Sequence, residues 1–203
     1  LGMTYRTLKK YNEAIEAFKH TVSTYIGSEE AYSALEGIEQ ILVETNKVDE
    51  YIAYTKTLTN INMEAISSED SLVYVTAEIQ YMMGNYEQAV AGLTTYLTSF
   101  CPGGRYCTNA TYYAANSFYQ LKQYDQAVEQ YSALADIQGN PYMEEACMRV
   151  AEMSYDKQEY RTALYYYQRM SEVASSSSKR ITALLGMLRC SHNVEENSTT
   201  INI

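Results

Sequence analysis

The sequence predicts an all-α fold, a right-handed α–α superhelix or solenoid built from helix–turn–helix repeats. An aromatic residue, two variable residues and Ala form a turn signal that begins at Tyr11, Tyr86, Tyr124 and Tyr160, with a degenerate copy at Val48. Successive copies start 37, 38, 38 and 36 residues apart. A fixed period of this size is typical of a solenoid. Only two prolines and nine glycines occur in 203 residues, which is compatible with a helical chain.

The turn at Gly84 shows how one repeat is organised. Gly84 is suited to a left-handed helix C-cap, where a Cβ atom would be strained. Asn85 is expected to cap the next helix, and Gln88, three residues on, to complete a capping box. Tyr86 and Ala89 are then expected to pack against the helix before the turn.

Each good copy also has a small residue nine positions before the aromatic residue and a large residue four positions after the Ala. The small residues are Gly2, Ala77, Ala115 and Ala151, and the large residues are Phe18, Leu93, Tyr131 and Tyr167. The second copy departs from this pattern, with Glu39, Val48, Tyr51 and Thr55 at the matching places. The chain resembles the tetratricopeptide repeat (TPR) family, whose unit is a helix–turn–helix of about 34 residues.

The resemblance implies one TPR array over residues 1–193, followed by a flexible tail at 194–203. We expect repeats at about 1–27, 28–66, 67–104, 105–139 and 140–177, and a capping helix at 178–193. Gly27 and Ser28 predict a helix stop and the next N-cap. The second helix of repeat two, which has polar residues at several core positions, is expected to pack least well. Leu1 already falls in the middle of a repeat helix, so we expect the natural protein to extend upstream.

The composition restricts the kinds of partner. The net charge is −10, and nucleic acids and anionic lipid surfaces are bound by clustered Lys and Arg. No run of 18 apolar residues predicts a membrane-spanning helix. A neutral or basic protein or peptide is therefore the expected partner.

Searches for catalytic or metal-binding motifs give no candidate. His20 and His192 are the only histidines, and neither has Cys, His or acidic neighbours at the spacing of a metal site. The stretch Gly103-Gly104-Arg105 lacks the Lys-Ser/Thr ending of a phosphate-binding loop. We expect no catalytic residues, no cofactor and no metal, and hence a non-catalytic protein.

The four cysteines divide into two pairs. Cys101 and Cys107 flank a Pro-Gly-Gly turn, and a disulfide would close this loop in an oxidising compartment. The alternative is two free thiols. Cys147 and Cys190 fall within predicted helices and are expected to be small buried apolar residues.

The TPR resemblance implies that the first helix of each repeat lines a concave, partner-binding groove. Residues at equivalent helical positions of three successive repeats are candidates for this groove: Tyr74, Glu78 and Tyr81, then Tyr112, Asn116 and Tyr119, then Met148, Glu152 and Tyr155. Arg149 and Arg189 would add isolated positive charges. The alternative is that several of these tyrosines pack between repeats. Asn116 matches one residue of the carboxylate clamp of chaperone-binding TPR domains, but Tyr112 and Glu145 stand at clamp positions that need Lys, so this binding mode is rejected.

A narrower resemblance is to bacterial envelope TPR proteins, the group of the outer-membrane assembly lipoprotein and the Tol-Pal-associated coordinator. It depends on the stretch from Gly84 to Val90, followed by Tyr96-Leu97-Thr98-Ser99-Phe100 and a Pro-Gly break, while Cys101 departs from that pattern. It implies a periplasmic or cell-envelope scaffold or adaptor. Two alternatives stay open: a glycan-binding envelope protein, and an interaction arm of a protein whose activity lies upstream. Homo-oligomerisation through an exposed terminal repeat is a further expectation.

Overall fold

A computed structural model of the chain describes residues 1–59, 61–62 and 66–200, with side chains as far as residue 194. This part contains eleven α-helices and no strand. The helices are α1 Gly2–Thr7, α2 Tyr11–Thr24, α3 Glu29–Glu44, α4 Val48–Lys56, α5 Glu69–Met82, α6 Tyr86–Phe100, α7 Cys107–Gln120, α8 Tyr124–Asp136, α9 Met143–Asp156, α10 Tyr160–Val173 and α11 Ser177–Thr200. The predicted all-α fold is confirmed. None of the described helices is long and apolar enough to cross a membrane.

The chain divides into two compact units, Leu1–Cys107 and Thr108–Ile203. The first unit has a core of buried apolar side chains from α2 to α5, with Leu35 and Ile38 at its centre. The second unit has its own core, drawn from α7 to α11. The division falls at the first residue of α7, directly after the loop that contains the Pro-Gly-Gly turn. One continuous array over residues 1–193 stays a prediction.

Successive helices from α1 to α6 pack against one another, as do successive helices from α8 to α11, and α1 also contacts α3. The predicted pairing of small and large residues explains this close packing. A Cβ atom at Gly2 would lie 2.6 Å from the Phe18 ring, and one at Gly37 would lie 2.7 Å from the same ring. Phe18 therefore fits between two helices because both offer glycine at the point of contact.

The alanines of the turn signal are all completely buried: Ala14, Ala89, Ala127 and Ala163. The large residues four positions later, Phe18, Leu93, Tyr131 and Tyr167, are buried as well. The predicted core pattern is thus confirmed. At the degenerate copy, Tyr51 takes the place of the Ala and is also fully buried.

The predicted glycine stops are confirmed, because Gly27 and Gly84 both have φ of +79°. Ser28 caps α3 as predicted, since its Oγ accepts a hydrogen bond from the Ala31 N–H (3.3 Å). The predicted capping box at Asn85 is wrong. Asn85 stands at the N-cap position without a capping hydrogen bond, and its Nδ2 instead donates to Oε1 of buried Gln80 (2.9 Å). A buried amide needs a partner more than an exposed helix end does.

Two helix ends differ from the predicted ones. The second helix of repeat two, α4, ends at Lys56 and has only nine residues, which is consistent with its polar core positions. The last helix, α11, continues to Thr200 rather than ending near residue 193. Residues 201–203 of the predicted tail lie outside the described residues.

A disulfide joins Cys101 and Cys107, whose Cα atoms are 5.7 Å apart. Hydrogen bonds tie the loop to its own unit: the Tyr106 N–H donates to the Tyr96 hydroxyl oxygen (2.9 Å), and the Arg105 N–H donates to Asp70 Oδ2 (3.4 Å). The loop is thereby fixed to the N-terminal turn of α5. The other two cysteines, Cys147 and Cys190, are buried thiols.

Candidate binding site

Tyrosines meet edge to face at the turn between the two helices of a repeat. In each pair, one tyrosine ends the first helix and the other begins the second, five residues later. The pairs are Tyr81 with Tyr86, Tyr119 with Tyr124 and Tyr155 with Tyr160, with ring centroids 5.9, 5.7 and 5.4 Å apart. This geometry is favourable for aromatic rings. The tyrosines predicted at the ends of the first helices are thus held in place by partners that the sequence analysis did not assign to the site.

Tyr74 and Tyr112, the first members of the predicted stripes, stack face to face on other tyrosines. The Tyr74 ring lies parallel to Tyr106 at 4.3 Å, and the Tyr112 ring lies parallel to Tyr142 at 3.9 Å. Tyr74 is only 3% exposed and donates its hydroxyl to Glu78 (2.7 Å). The prediction of Tyr74 as a groove residue is therefore corrected: its ring and its hydroxyl are both used inside the first unit.

Asn116 also requires correction. It is 8% exposed, and its Oδ1 accepts a hydrogen bond from the buried Tyr131 hydroxyl at 2.7 Å. Its Nδ2 donates to the Tyr112 carbonyl oxygen (3.2 Å). Asn116 consequently joins α7 to α8 in the core, with its Oδ1 and its Nδ2 each engaged in a hydrogen bond within the second unit.

The second unit contains a cavity of about 550 Å³ that receives side chains from five helices, α7 to α11. Its lining residues are Tyr119, Tyr124, Glu152, Met153, Tyr155, Asp156, Lys157, Tyr167 and Arg189. Four of the predicted site residues are brought together here: Tyr119, Glu152, Tyr155 and Arg189. The first-unit candidates Glu78 and Tyr81 lie on α5, and Met148 is half-buried against the core of the second unit.

Gly186 allows α11 to pack closely against Tyr167 in the wall of the cavity. A Cβ atom at Gly186 would lie 2.6 Å from the Tyr167 ring, so only glycine allows α11 and Tyr167 to approach this closely. Tyr167, the large residue of its repeat copy, is buried and also lines the cavity.

Charged side chains near the Tyr119 ring interact with one another. The Arg149 guanidinium lies 4.8 Å from the centre of the Tyr119 ring, within cation–π distance. The same group forms ion pairs with Glu145 (3.9 Å) and Glu152 (3.7 Å) on its own helix. Glu145 also accepts the Tyr112 hydroxyl hydrogen bond (2.9 Å). Arg149, one of the predicted site residues, therefore interacts with two carboxylates and with the face of an aromatic ring.

Burial raises the pKa of Glu152, with Arg149 opposing this effect and the charge of Asp156 adding to it. Burial, followed by the charge of Glu152, raises the pKa of Tyr167 to about 12. The Glu152 side chain is nevertheless 45% exposed, so its carboxylate is in contact with solvent.

The remaining charged side chains of the cavity differ in whether they form an ion pair. Lys157 forms an ion pair with Asp125, so its charge is neutralised. Within the described residues, Asp156 and Arg189 take part in no side-chain ion pair. Tyr155 accepts a hydrogen bond from Asn193 Nδ2 (3.3 Å), which connects α9 to α11 at the rim. The described side chains contain no group of three His, Cys, Asp or Glu residues that could hold a metal ion.

Residues 109–138 match the family model described as tetratricopeptide repeat. This segment is thus similar to a tetratricopeptide repeat. It covers most of α7 and α8 and lies within the predicted fourth repeat. The turn signals at Tyr11, Val48, Tyr86 and Tyr160 lie outside the matched residues.

Solved structures show the same type of fold. Pseudomonas aeruginosa pilF is 17% identical over 100% of this chain and 85% of that chain, with a TM-score of 0.50. BtubC from P. vanneervenii is 9% identical over 94% and 84% of the two chains, also at 0.50. At these identities the likeness to pilF and BtubC concerns the fold alone. YrrB, described as a TPR protein with an unusual peptide-binding site, is 13% identical over 90% and 87% of the two chains, at a TM-score of 0.48, and no argument is based on it. The sequence matches no curated protein.

Proposed function

We propose that this protein is a non-catalytic scaffold or adaptor that binds a protein or peptide through the cavity of its second unit. The TPR fold is suited to protein–protein interaction, because stacked helix pairs present side chains from several repeats on one surface. The observation that carries the proposal is the cavity itself, in which five helices place tyrosines and charged residues around about 550 Å³. Tyrosine gives a large contact area with a polar tip, which suits recognition of a peptide.

We propose a bacterial periplasm or cell envelope as the compartment. Two observations support this location. The Cys101–Cys107 disulfide fits an oxidising compartment, and the resemblance to envelope TPR proteins described above points the same way. The net charge of −10 favours a neutral or basic partner, and the attachment of a basic partner would weaken as salt concentration rises.

Partner capture tests the function and the compartment together. The tagged full chain is incubated with separate bacterial envelope and cytosolic extracts, beside a Tyr119→Ala, Tyr155→Ala double variant. Tyr165→Ala serves as the matched control, because Tyr165 is an exposed tyrosine of the same unit that lies outside the cavity. We expect an envelope protein that the wild type and the control capture and the double variant does not. Equal capture by all three chains would contradict the cavity as the binding site.

We also propose self-association through α11 as a secondary property. Ile181, Leu184, Leu185 and Leu188 are exposed and recur at the spacing of one helix face. Burial of such a face against another protein surface is favourable. Light scattering of the wild type and of Leu184→Glu, Leu188→Glu at several concentrations tests this. A mass that stays monomeric for both chains would contradict it.

A further inference from the structure

The charges of the cavity indicate which chemical group it would accept. Glu152 and Asp156 are four residues apart on α9, so their carboxylates lie on the same helix face. Both line the cavity, where Lys157 is already neutralised by Asp125. Arg189 is then the remaining positive charge of the lining, and Arg149 adds a second one from outside it. The carboxylates of Glu145, Glu152 and Asp156 still outnumber these two guanidinium groups.

The aromatic walls favour the same kind of group. Tyr119, Tyr124, Tyr155 and Tyr167 all line the cavity, and the face of a tyrosine ring attracts a cation. Edge-to-face pairing of Tyr119 with Tyr124 fixes the orientation of two of these rings. Met153 adds an apolar contact that suits the aliphatic part of a long basic side chain.

The protein itself contains a contact of this type. Arg149 lies over the Tyr119 ring and within 3.7 Å of Glu152, so an arginine already occupies the space between an aromatic face and a carboxylate. The distance from Arg149 Nη1 to Glu152 Oε2 is 3.7 Å. This is within the range of an ion pair but too long for a hydrogen bond. The Glu152 carboxylate therefore retains the capacity to accept a charged donor from a ligand.

We propose that the cavity binds a basic side chain of the partner, an arginine or lysine, whose charged head meets Glu152 and Asp156 among the tyrosine rings. This inference rests on the proposed binding function and names the chemistry that the site recognises. A planar guanidinium can stack on a ring and donate to a carboxylate at the same time, so arginine should bind more tightly than lysine.

The test uses small probes and the full chain, with the tyrosine rings isotopically labelled for NMR titration. The probes are N-acetyl-arginine amide, its lysine and glutamate counterparts, and N-acetyl-citrulline amide, which has nearly the shape of arginine without its charge. We expect the arginine probe to shift a subset of the tyrosine signals. This subset should include the signal of Tyr155, which is assigned by its loss in the Tyr155→Phe variant. Citrulline should bind roughly tenfold more weakly, since it cannot form a charge-assisted hydrogen bond.

Two variants locate the effect. Glu152→Gln should weaken binding of the arginine probe several-fold, whereas Glu129→Gln, at an exposed acidic position of the same unit outside the cavity, should leave it unchanged. Equal binding of arginine and citrulline, tighter binding of the glutamate probe, no binding of any probe, or an unaltered Glu152→Gln variant would each overturn the inference.

Failure of the basic-side-chain inference and failure of the proposed binding function give different results in the two experiments. A partner that depends on Tyr119 and Tyr155, together with no preference for the arginine probe, would leave the binding function standing and overturn only the basic-side-chain inference. Specific binding of the arginine probe without any captured partner would support the cation site and count against the scaffold role.

Discussion

Internal hydrogen bonds decide which predicted site residues can meet a partner. Asn116 and Glu152 occupy equivalent positions, as do Tyr131 and Tyr167, 36 residues apart in each case. In one repeat the tyrosine hydroxyl donates to the asparagine at 2.7 Å and both residues are buried. In the next repeat the asparagine is replaced by glutamate, and both residues line the cavity. The replacement of asparagine by glutamate at this repeat position thus accompanies the difference between a buried core contact and a cavity wall.

Asn116→Ala should destabilise the second unit by about 1–3 kcal/mol, because the buried Tyr131 hydroxyl loses this acceptor. Urea unfolding measures the loss. Tyr131→Phe is the companion variant, and the double variant should lose less than the sum of the two single changes, since both remove the same hydrogen bond. Full additivity, or a loss of arginine-probe binding without a change in stability, would contradict the structural role of Asn116.

The raised pKa of Glu152 predicts a pH-dependent stability. Burial raises the pKa in the folded state above its unfolded value, so the folded chain holds this proton more tightly. The stabilising contribution is complete below the unfolded pKa and is lost as pH rises through the folded pKa. Urea midpoints measured from about pH 4 to about pH 8 should show Glu152→Gln gaining stability over the wild type as pH rises. Glu129→Gln is the control, and a constant difference between Glu152→Gln and the wild type would contradict the shift.

At the scale of elements, the loop between α6 and α7 is held by both covalent and polar contacts. The disulfide closes it, and Tyr96 links it to α5 by accepting from the Tyr106 N–H and donating to Asp70 (3.4 Å). Burial raises the pKa of Tyr96, and Asp70 adds to this effect. The loop is therefore a packed part of the first unit, although its Pro-Gly-Gly sequence alone would be typical of a flexible break.

Replacing Cys101 and Cys107 by serine should destabilise the first unit by about 2 kcal/mol, the value expected for closing a short loop in the unfolded chain. Urea unfolding of the wild type with and without reductant, beside the double variant, measures this effect. Alkylation after reduction should label these two cysteines first, because Cys147 and Cys190 are buried in the native state. Identical wild-type midpoints with and without reductant would contradict the prediction.

At the scale of the whole molecule, each of the two units has its own apolar core. The core of the first unit is rich in Leu, Ile and Val, as Leu35, Ile38 and Ile41 illustrate. The core of the second unit relies on alanines packed against Tyr131, Tyr167 and Met170. Both solutions fill the space between helices, one with branched aliphatic residues and the other with small residues facing large ones.

Because each core is complete within its unit, residues 1–107 and residues 104–203 should each fold when produced separately. The second fragment begins early enough to keep the first turn of α7. We expect helical circular dichroism and a cooperative urea transition for both. A fragment that is helical but unfolds without a cooperative transition would show that its core depends on the other unit.

The sequence was a good guide to the repeats and a partial guide to the site. Buried turn alanines, the Phe18 contact with Gly2 and the left-handed Gly84 all follow from residue type and spacing. The cavity residues on second helices and turns, such as Tyr124 and Lys157, were missed. A recurring pair of tyrosines five residues apart was the signal that could have found Tyr124.

The chain by itself determined its helical repeats, because helix periodicity and the small–large pairing are local properties that a sequence displays directly. Tertiary structure alone decided which tyrosines and polar side chains remain available to a partner. Asn116 and Glu152 stand at equivalent repeat positions, yet one is hydrogen-bonded in the core and the other lines the cavity. That outcome depends on hydrogen bonds and ring contacts between helices, which are set by residues distant in sequence and cannot be read from the spacing of any one repeat.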